Sequence, residues 1–355
     1  MRIINYGKSY DIFDDDNVLI MDEFPAQTYR ISFHPQKGFS LHKAQDISTT
    51  EDTKIYGKSK EKAQKVMKRY NSFEKSMGVI LSGDKGIGKS LFVQQLAKEA
   101  ISQNIPVILV TDAIPGITEF LDNIQQECLI IFDEFEKVFI DDEELENREP
   151  QSKLLGLFDG TSKQKRLYAL TVNHLYKVNE FMINRPGRFH FHIRFGYPQA
   201  VEITDYLKDN LKEEYFDKIQ DVVNLSWKLP LNYDCLQAIA TELNEGETLA
   251  SALEDLNIIN SEELEKELTI KFKDGSIDIL NKRVDMFSDD EYINYFSQSK
   301  KDYIQICFST KTGTFKDEDM VITEFKEVTS DDNSSTVDVE SISIKSKEKN
   351  LYKLF

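Results

Sequence analysis

The sequence predicts an α/β protein built on a parallel sheet, with β-rich modules before and after it. Three observations carry the expectation. Between about residues 55 and 259, short apolar runs alternate with stretches of helical period, the pattern of strands covered by helices on both faces. Upstream, Tyr29, Ile31 and Phe33 alternate with polar residues, and His34-Pro35-Gln36-Lys37-Gly38 turns the chain into Phe39-Ser40-Leu41. Downstream, Leu268, Ile270 and Phe272 alternate, Asp274-Gly275 is a two-residue hairpin signal, and Ile277 and Ile279 resume the alternation. The expected boundaries are a β-rich module over 1–50, an α/β domain over 51–198, a helical annex over 199–259 and a second β-rich module over 260–355.

Composition bounds the function before any motif does. The 355 residues exceed what one core usually accommodates, and 62 Asp plus Glu against 44 Lys plus Arg leave a net charge of −18. That balance argues against a static nucleic-acid coat or an anionic membrane surface, while leaving room for a local basic channel. No apolar run approaches the roughly 18 residues of a membrane span, and MRIINYGKSYDIFDDD does not read as a secretory signal. Three distant cysteines, Cys128, Cys235 and Cys307, fit a reducing compartment and make neither a disulfide framework nor a zinc site. The five histidines show no metal-ligand spacing. A soluble, cytoplasmic protein is the expectation.

Val79-Ile80-Leu81 reads as a buried strand, and Gly83-Asp84-Lys85-Gly86-Ile87-Gly88-Lys89-Ser90 follows it, filling every fixed position of G-x-x-x-x-G-K-[ST]. Glycines allow the backbone to curl so that successive N–H groups point at phosphate oxygens. The helix beginning near Lys89 presents its positive dipole end, Lys89 is placed to reach the β- and γ-phosphates of a nucleotide, and the Ser90 hydroxyl is a ligand for Mg2+. Phe92, Leu96 and Ala100, with Val93, Ala97 and Ile101, give that helix its buried face.

Leu129-Ile130-Ile131-Phe132 is a strand buried on both faces that ends in Asp133-Glu134. Ligands bind beyond the carboxyl ends of such strands, and two adjacent carboxylates there need cations or reacting water to satisfy them. Asp133 is expected in the Mg2+ shell and Glu134 as the group that orients and polarises an attacking water. The acidic stretch Asp141-Asp142-Glu143-Glu144-Leu145-Glu146 reads as a solvated loop. Leu167-Tyr168-Ala169-Leu170-Thr171-Val172 is a further buried strand, ending in Asn173-His174, where an amide is either a partner for the γ-phosphate or a loop cap. Asn184-Arg185-Pro186-Gly187-Arg188-Phe189 then projects two guanidinium groups from a Pro-Gly turn, suited to a transferring phosphoryl group or simply solvated.

The ordered series GDKGIGKS, LIIFDE, LLGLFDG, TVNH and NRPGRF resembles the AAA branch of P-loop ATPases. Within it, SKLLGLFDGTSKQKRLYALTVNH and INRPGRF are especially similar to the mitochondrial translocases of the folded Rieske iron–sulfur protein. The whole is also similar to uncharacterised bacterial and phage members. The resemblance covers about residues 55–259. It implies ATP and Mg2+ as ligands, the sheet order 5-1-4-3-2, and a helical lid over 199–259. It also implies Asn173 as the sensor of nucleotide state, and Arg185 and Arg188 as arginine fingers acting on a neighbouring subunit of a homo-oligomeric ring, a hexamer or heptamer. It further implies that Leu91 completes the loop's nucleotide contacts and that Ile55, Tyr56 and Gly57 pack near the adenine. Two departures stand out. Protein-threading relatives carry an aromatic-apolar-Gly motif after the second strand, where this chain has Ala113-Ile114-Pro115-Gly116 after Val107-Ile108-Leu109-Val110, and no arginine opens the lid helix at Asn232-Tyr233-Asp234.

The leading expectation is therefore a ring ATPase that remodels or translocates a macromolecular client, more in keeping with protein than with nucleic acid. The alternatives are a nucleic-acid-associated loader and a slow ATP-gated assembly switch. Lys58, Lys60, Lys62, Lys65, Lys68 and Arg69 are the sequence support for the loader, and the plainer reading of them is the solvated face of the helix before the phosphate loop. Cys128 reads as a small core residue, Trp227 as a packing residue of the lid, and Asn350-Leu351-Tyr352-Lys353-Leu354-Phe355 as a last strand or fraying terminus.

Overall fold

The computed structural model describes residues 2–5, 10–13, 19, 21–44, 56–141, 148–159, 164–183, 185–256, 264–316, 319–330 and 338–346. Expectations that fall on Ile55, on most of the acidic stretch after Asp141, on Asn184 and on the carboxyl end from 347 lie outside them. The chain divides into two compact units, residues 1–196 and 197–355. Among the described residues no helix is long and apolar enough to cross a membrane.

The first unit is organised by a seven-stranded sheet. In chain order its strands are β3 (Thr28–His34), β4 (Gly38–Lys43), β5 (Met77–Ser82), β6 (Val107–Val110), β7 (Cys128–Phe132), β8 (Arg166–Val172) and β9 (Phe189–Arg194). A small antiparallel hairpin of β1 (Arg2–Asn5) and β2 (Tyr10–Phe13) precedes them. Across the sheet the order is β4-β3-β6-β7-β8-β5-β9, and every pairing except the β3–β4 hairpin is parallel. β5, β7 and β8 are buried at every residue, as continuous apolar runs between helical layers require.

Helices α1 (Ser59–Ser72) and α2 (Lys89–Ser102) pack together on one face. The apolar positions Ala63, Val66, Met67 and Tyr70 of α1 recur at helical spacing, and all are buried. α3 (Ile117–Asp122), α4 (Phe135–Val138) and α5 (Gln151–Phe158) complete the unit. Around α4 and α5 the rings of Phe132, Phe135, Phe139 and Phe158 meet edge-to-face or stacked, each burial contributing about 1.5–3 kcal/mol.

The expected separate module over residues 1–50 is corrected in part. β3 and β4 belong to the central sheet, because β3 pairs in parallel with β6 through Thr28↔Val107, Tyr29↔Ile108 and Arg30↔Leu109. Without them β6 would leave a row of backbone N–H and C=O groups unpaired at the edge, and the hairpin satisfies that edge.

The second unit contains four α-helices among its described residues, α6 (Ala200–Asn210), α7 (Ile219–Lys228), α8 (Tyr233–Asn244) and α9 (Leu249–Asp255). A capping box between Gln199 and Glu202 starts α6, and the Asn232 side chain caps α8 by accepting from the Cys235 N–H. Trp227 packs against the helical core they share. Two antiparallel sheets follow. β10 (Leu264–Phe272), β11 (Ile277–Val284), β14 (Thr314–Lys316), β15 (Asp319–Ile322) and β17 (Val339–Ser346) form one, and β12 (Glu291–Ser297), β13 (Asp302–Phe308) and β16 (Glu327–Ser330) the other. Leu268, Ile270, Phe272, Ile304, Ile306, Phe308 and Ile342 meet in their common core.

Two local expectations change here. The β10–β11 connection is a three-residue loop, closed by the Phe272 N–H on the Ser276 carbonyl at 2.9 Å, with Gly275 left-handed at φ 86°. The stretch from Val328 to Thr336 reads from its Ser, Asp and Asn content as a loop, but its described part, Val328-Thr329-Ser330, belongs to strand β16, paired with β13.

Candidate nucleotide site

The phosphate loop leaves β5 at Ser82 and enters α2 at Lys89. Gly83, Gly86 and Gly88 have φ of 145°, 73° and 95°, so the curl uses backbone conformations that other residues resist. At Gly83 an added Cβ would lie 2.4 Å from Ile87 Cδ1 and 2.5 Å from the Phe195 carbonyl oxygen, so the cradle has no room for a side chain. Ile87 is buried under the loop and Leu91 is half-buried in the first turn of α2, where Ser90 is exposed. Lys89 is 8 % exposed and its ammonium donates to the Gly83 and Asp84 carbonyls, both at 2.6 Å, and to Asn173 Oδ1 at 2.9 Å. Burial lowers its pKa, opposed by the carboxylates of Asp84, Glu136, Asp133 and Glu134.

Asp133 and Glu134 stand just past the end of β7. Thr171 joins them: its hydroxyl donates to Asp133 Oδ1 at 2.6 Å and accepts the Glu134 backbone N–H at 2.8 Å. That contact follows from the β7–β8 register, in which Phe132 faces Leu170 and the next residue on each strand is Asp133 or Thr171. Glu134 sits at φ 46°, a left-handed position that costs a non-glycine residue on the order of 1 kcal/mol. Its Oε1 accepts from Lys137, lies 3.8 Å from the Lys85 ammonium, and receives Asn173 Nδ2 at 3.4 Å. The Lys137 hydrogen bond is the main cause that holds the Glu134 carboxyl below its usual pKa.

Asn173, at the end of β8, therefore bridges Lys89 and Glu134, with its amide oxygen on the first and its amide nitrogen on the second. Lys89, Asp133, Glu134 and Asn173 come from the carboxyl ends of three neighbouring strands, β7, β8 and β5, where an open α/β sheet receives its ligand. Sequence reasoning missed Thr171 and Glu136. Glu136 is buried and accepts the Asn173 and His174 N–H groups, but nothing in sequence spacing separates it from other acidic residues nearby.

The residues present fit a nucleotide with Mg2+. Ser90 offers one hydroxyl and Asp133 one carboxylate, and among the described residues no group of three or more His, Cys, Asp or Glu side chains is placed to hold a metal. A hydroxyl and a carboxylate are hard oxygen donors of the kind that suits Mg2+, which keeps several waters and shares substrate phosphates. Tyr56 is half-buried and Gly57 stands with it at the turn entering α1. Ala113 is buried, Ile114 half-buried and Pro115 exposed, and Gly116 begins α3.

The two arginines part company, which corrects the expectation that both project freely. Arg188 is paired through two nitrogens with the Asp159 carboxylate of its own chain, also donates to the Phe181 carbonyl at 2.6 Å, and has a side chain only 11 % exposed. Arg185 is exposed, with its guanidinium over the Phe181 ring at 5.5 Å. Both precede β9, which runs parallel to β5 with Phe189 opposite Gly78 and Arg194 opposite Ser82. At about 3.3 Å per residue, that register puts Phe189, where the turn carrying both arginines joins the strand, roughly 17 Å along the sheet from the start of their own phosphate loop.

Residues 79–197 match the family model described as ATPase family associated with various cellular activities (AAA). The matched stretch, about a third of the chain, begins in β5, ends just past β9 and contains Lys89, Asp133, Glu134, Asn173, Arg185 and Arg188. By its fold and by this match, the stretch 79–197 is similar to the P-loop domains of AAA ATPases. No curated protein matches the chain, so the narrower likeness to Rieske-protein translocases rests on the motif series alone.

Proposed function

We propose that the protein is a ring-forming ATPase that hydrolyses ATP with Mg2+ and uses the cycle to remodel or translocate a protein client. The observation that carries this reading is the continuous set of hydrogen bonds from Lys89 through Asn173 to Glu134, at the end of the sheet where the glycine loop opens. The loop amides and Lys89 hold the phosphates, while Ser90 and Asp133 hold Mg2+, which when bound neutralises charge on the phosphate oxygens. Glu134 accepts a proton from the attacking water, and Asn173 fixes that carboxylate relative to Lys89. Counted from the loop strand, the five parallel strands β5 to β9 run 5-1-4-3-2 across the sheet, which supports the same reading. The distance of Arg185 from its own loop supports its action on a neighbouring subunit.

The basic helix gives the nucleic-acid reading less support than its sequence suggests. Lys62, Lys65 and Arg69 lie over the rings of Phe195, Phe191 and Phe73 at 5.9, 5.8 and 5.6 Å, so these cations cover apolar surface of their own unit. The test of the ATPase reading is paired. Lys89→Ala abolishes nucleotide binding, while Glu134→Gln keeps binding and stops hydrolysis, read by equilibrium binding and phosphate release. Equal loss of binding in both variants refutes the role assignment. Turnover stimulated by single-stranded DNA, and not by a protein client, favours the loader.

A further inference from the structure

We infer that Glu136 is a positioning residue for Asn173: a buried carboxylate that pins the backbone of the loop after β8 and so fixes the amide bridge between Lys89 and Glu134. The inference rests on the ATPase reading above. Glu136 is 3 % exposed, and its Oε1 accepts the backbone N–H of Asn173 at 3.0 Å and of His174 at 3.3 Å. Two donors on one charged oxygen make stronger bonds than neutral pairs would, and they fix two successive peptide planes. The Asn173 side chain then has little choice of direction, with its oxygen on Lys89 at 2.9 Å and its nitrogen on Glu134 at 3.4 Å.

The far side of the same loop is held by a second buried side chain. Gln151 is 2 % exposed, donates to the Phe139 carbonyl at 2.8 Å and the Lys177 carbonyl at 3.0 Å, and accepts the Asn179 N–H at 2.8 Å. Residues 173–179 are thus tied at both ends to the segment that begins at Glu134. Packing alone does not call for a carboxylate here. Glu136 Oε2 is buried and has no hydrogen-bond partner among the described residues, a cost that a purely structural position would shed by carrying an apolar side chain. Its retention is explained by what Oε1 does.

The test combines hydrogen exchange with kinetics on the full chain. In the nucleotide-free protein, Glu136→Ala accelerates exchange at the Asn173 and His174 amides by about tenfold or more, while Glu136→Gln, which keeps an acceptor oxygen, leaves them protected. In steady-state hydrolysis, Glu136→Ala lowers kcat by about 10- to 100-fold with little change in KM for ATP, and Glu136→Gln recovers most of the rate. The Glu136→Ala/Asn173→Ala double variant is no slower than Asn173→Ala alone, because the two residues act as one unit. Unchanged exchange in Glu136→Ala, Gln and Ala variants that are equally impaired, or losses that multiply in the double variant, overturn the inference. If Glu136→Ala does not fold, deprotected Asn173 and His174 amides in Glu136→Gln overturn it equally. A wild-type chain that hydrolyses no ATP refutes the ATPase reading instead, and the exchange experiment still decides whether Glu136 pins the loop.

Discussion

Glu134 immediately precedes the short helix α4 and Lys137 lies three residues on within it, and their ion pair sets the acidity of the group proposed to receive a proton. The Lys137 ammonium favours the ionised carboxylate, so the Glu134 pKa falls, and a carboxylate held that way is a weaker base. Lys137→Ala removes the main cause of the shift and lets the pKa rise toward the ordinary glutamate range. Because the reaction needs Glu134 ionised, the acid limb of the kcat–pH profile is expected to move to higher pH in that variant. A limb that stays in place or moves down would show that another group governs it. Residue by residue, the site was unevenly legible. Lys89, Asp133 and Glu134 stand at spacings that few other chemistries need, but Thr171 is one hydroxyl in a strand and Glu136 one carboxylate in an acid-rich chain. Strand register brings the first to Asp133, and the short turn of α4 brings the second to Asn173.

At the scale of elements, glycine positions decide how closely strands and loops approach. Gly78 lies where β5 meets the start of β9, and a Cβ there would sit 2.4 Å from the Phe189 ring and 2.8 Å from the Arg188 carbonyl oxygen. Gly78→Ala is expected to destabilise the fold by about 1–3 kcal/mol through overpacking. Gly156, inside α5, is the contrast: beyond its own helix no described residue lies within 4 Å of where a Cβ would stand, and Gly156→Ala is expected to stabilise by up to about 1 kcal/mol. Denaturant unfolding of the two variants checks both signs. Equal effects would mean that the close β5–β9 approach does not constrain the sheet. Apolar runs announce β5, β7 and β8, whereas the place of β3 beside β6 could not be read from alternation, because alternation specifies a half-buried strand and not its partner.

At the scale of the whole molecule, charge is distributed unevenly. Residues 1–196 hold 26 Lys plus Arg and 28 Asp plus Glu, while residues 197–355 hold 18 and 34. The net charge of the chain therefore resides almost entirely in the second unit, and a partner of that unit is expected to be basic or neutral. In the proposed ring, Arg185→Ala subunits lack the donor and Lys89→Ala subunits lack the nucleotide. Mixed rings of the two are expected to regain part of the hydrolytic rate. Arg188→Ala is expected to lose activity with less recovery on mixing, because it frees Asp159 and loosens the turn that carries Arg185. Rescue by Arg188→Ala subunits to the same extent as by Arg185→Ala subunits would return Arg188 to the role of a second finger.

The sequence by itself determined the α/β class, the phosphate loop and the acidic strand end, since each depends on residues close together in the chain. A curl of glycines before a helix, or a carboxylate pair ending a buried strand, is a local arrangement that local chemistry specifies. Tertiary structure decided what depends on distance. The β3–β4 hairpin extends the central sheet, Thr171 and Glu136 join the site, and Arg188 is taken up by Asp159, 29 residues away along the chain. Each outcome turns on which unpaired backbone group or buried charge finds a partner, and that choice exists only after the chain has folded.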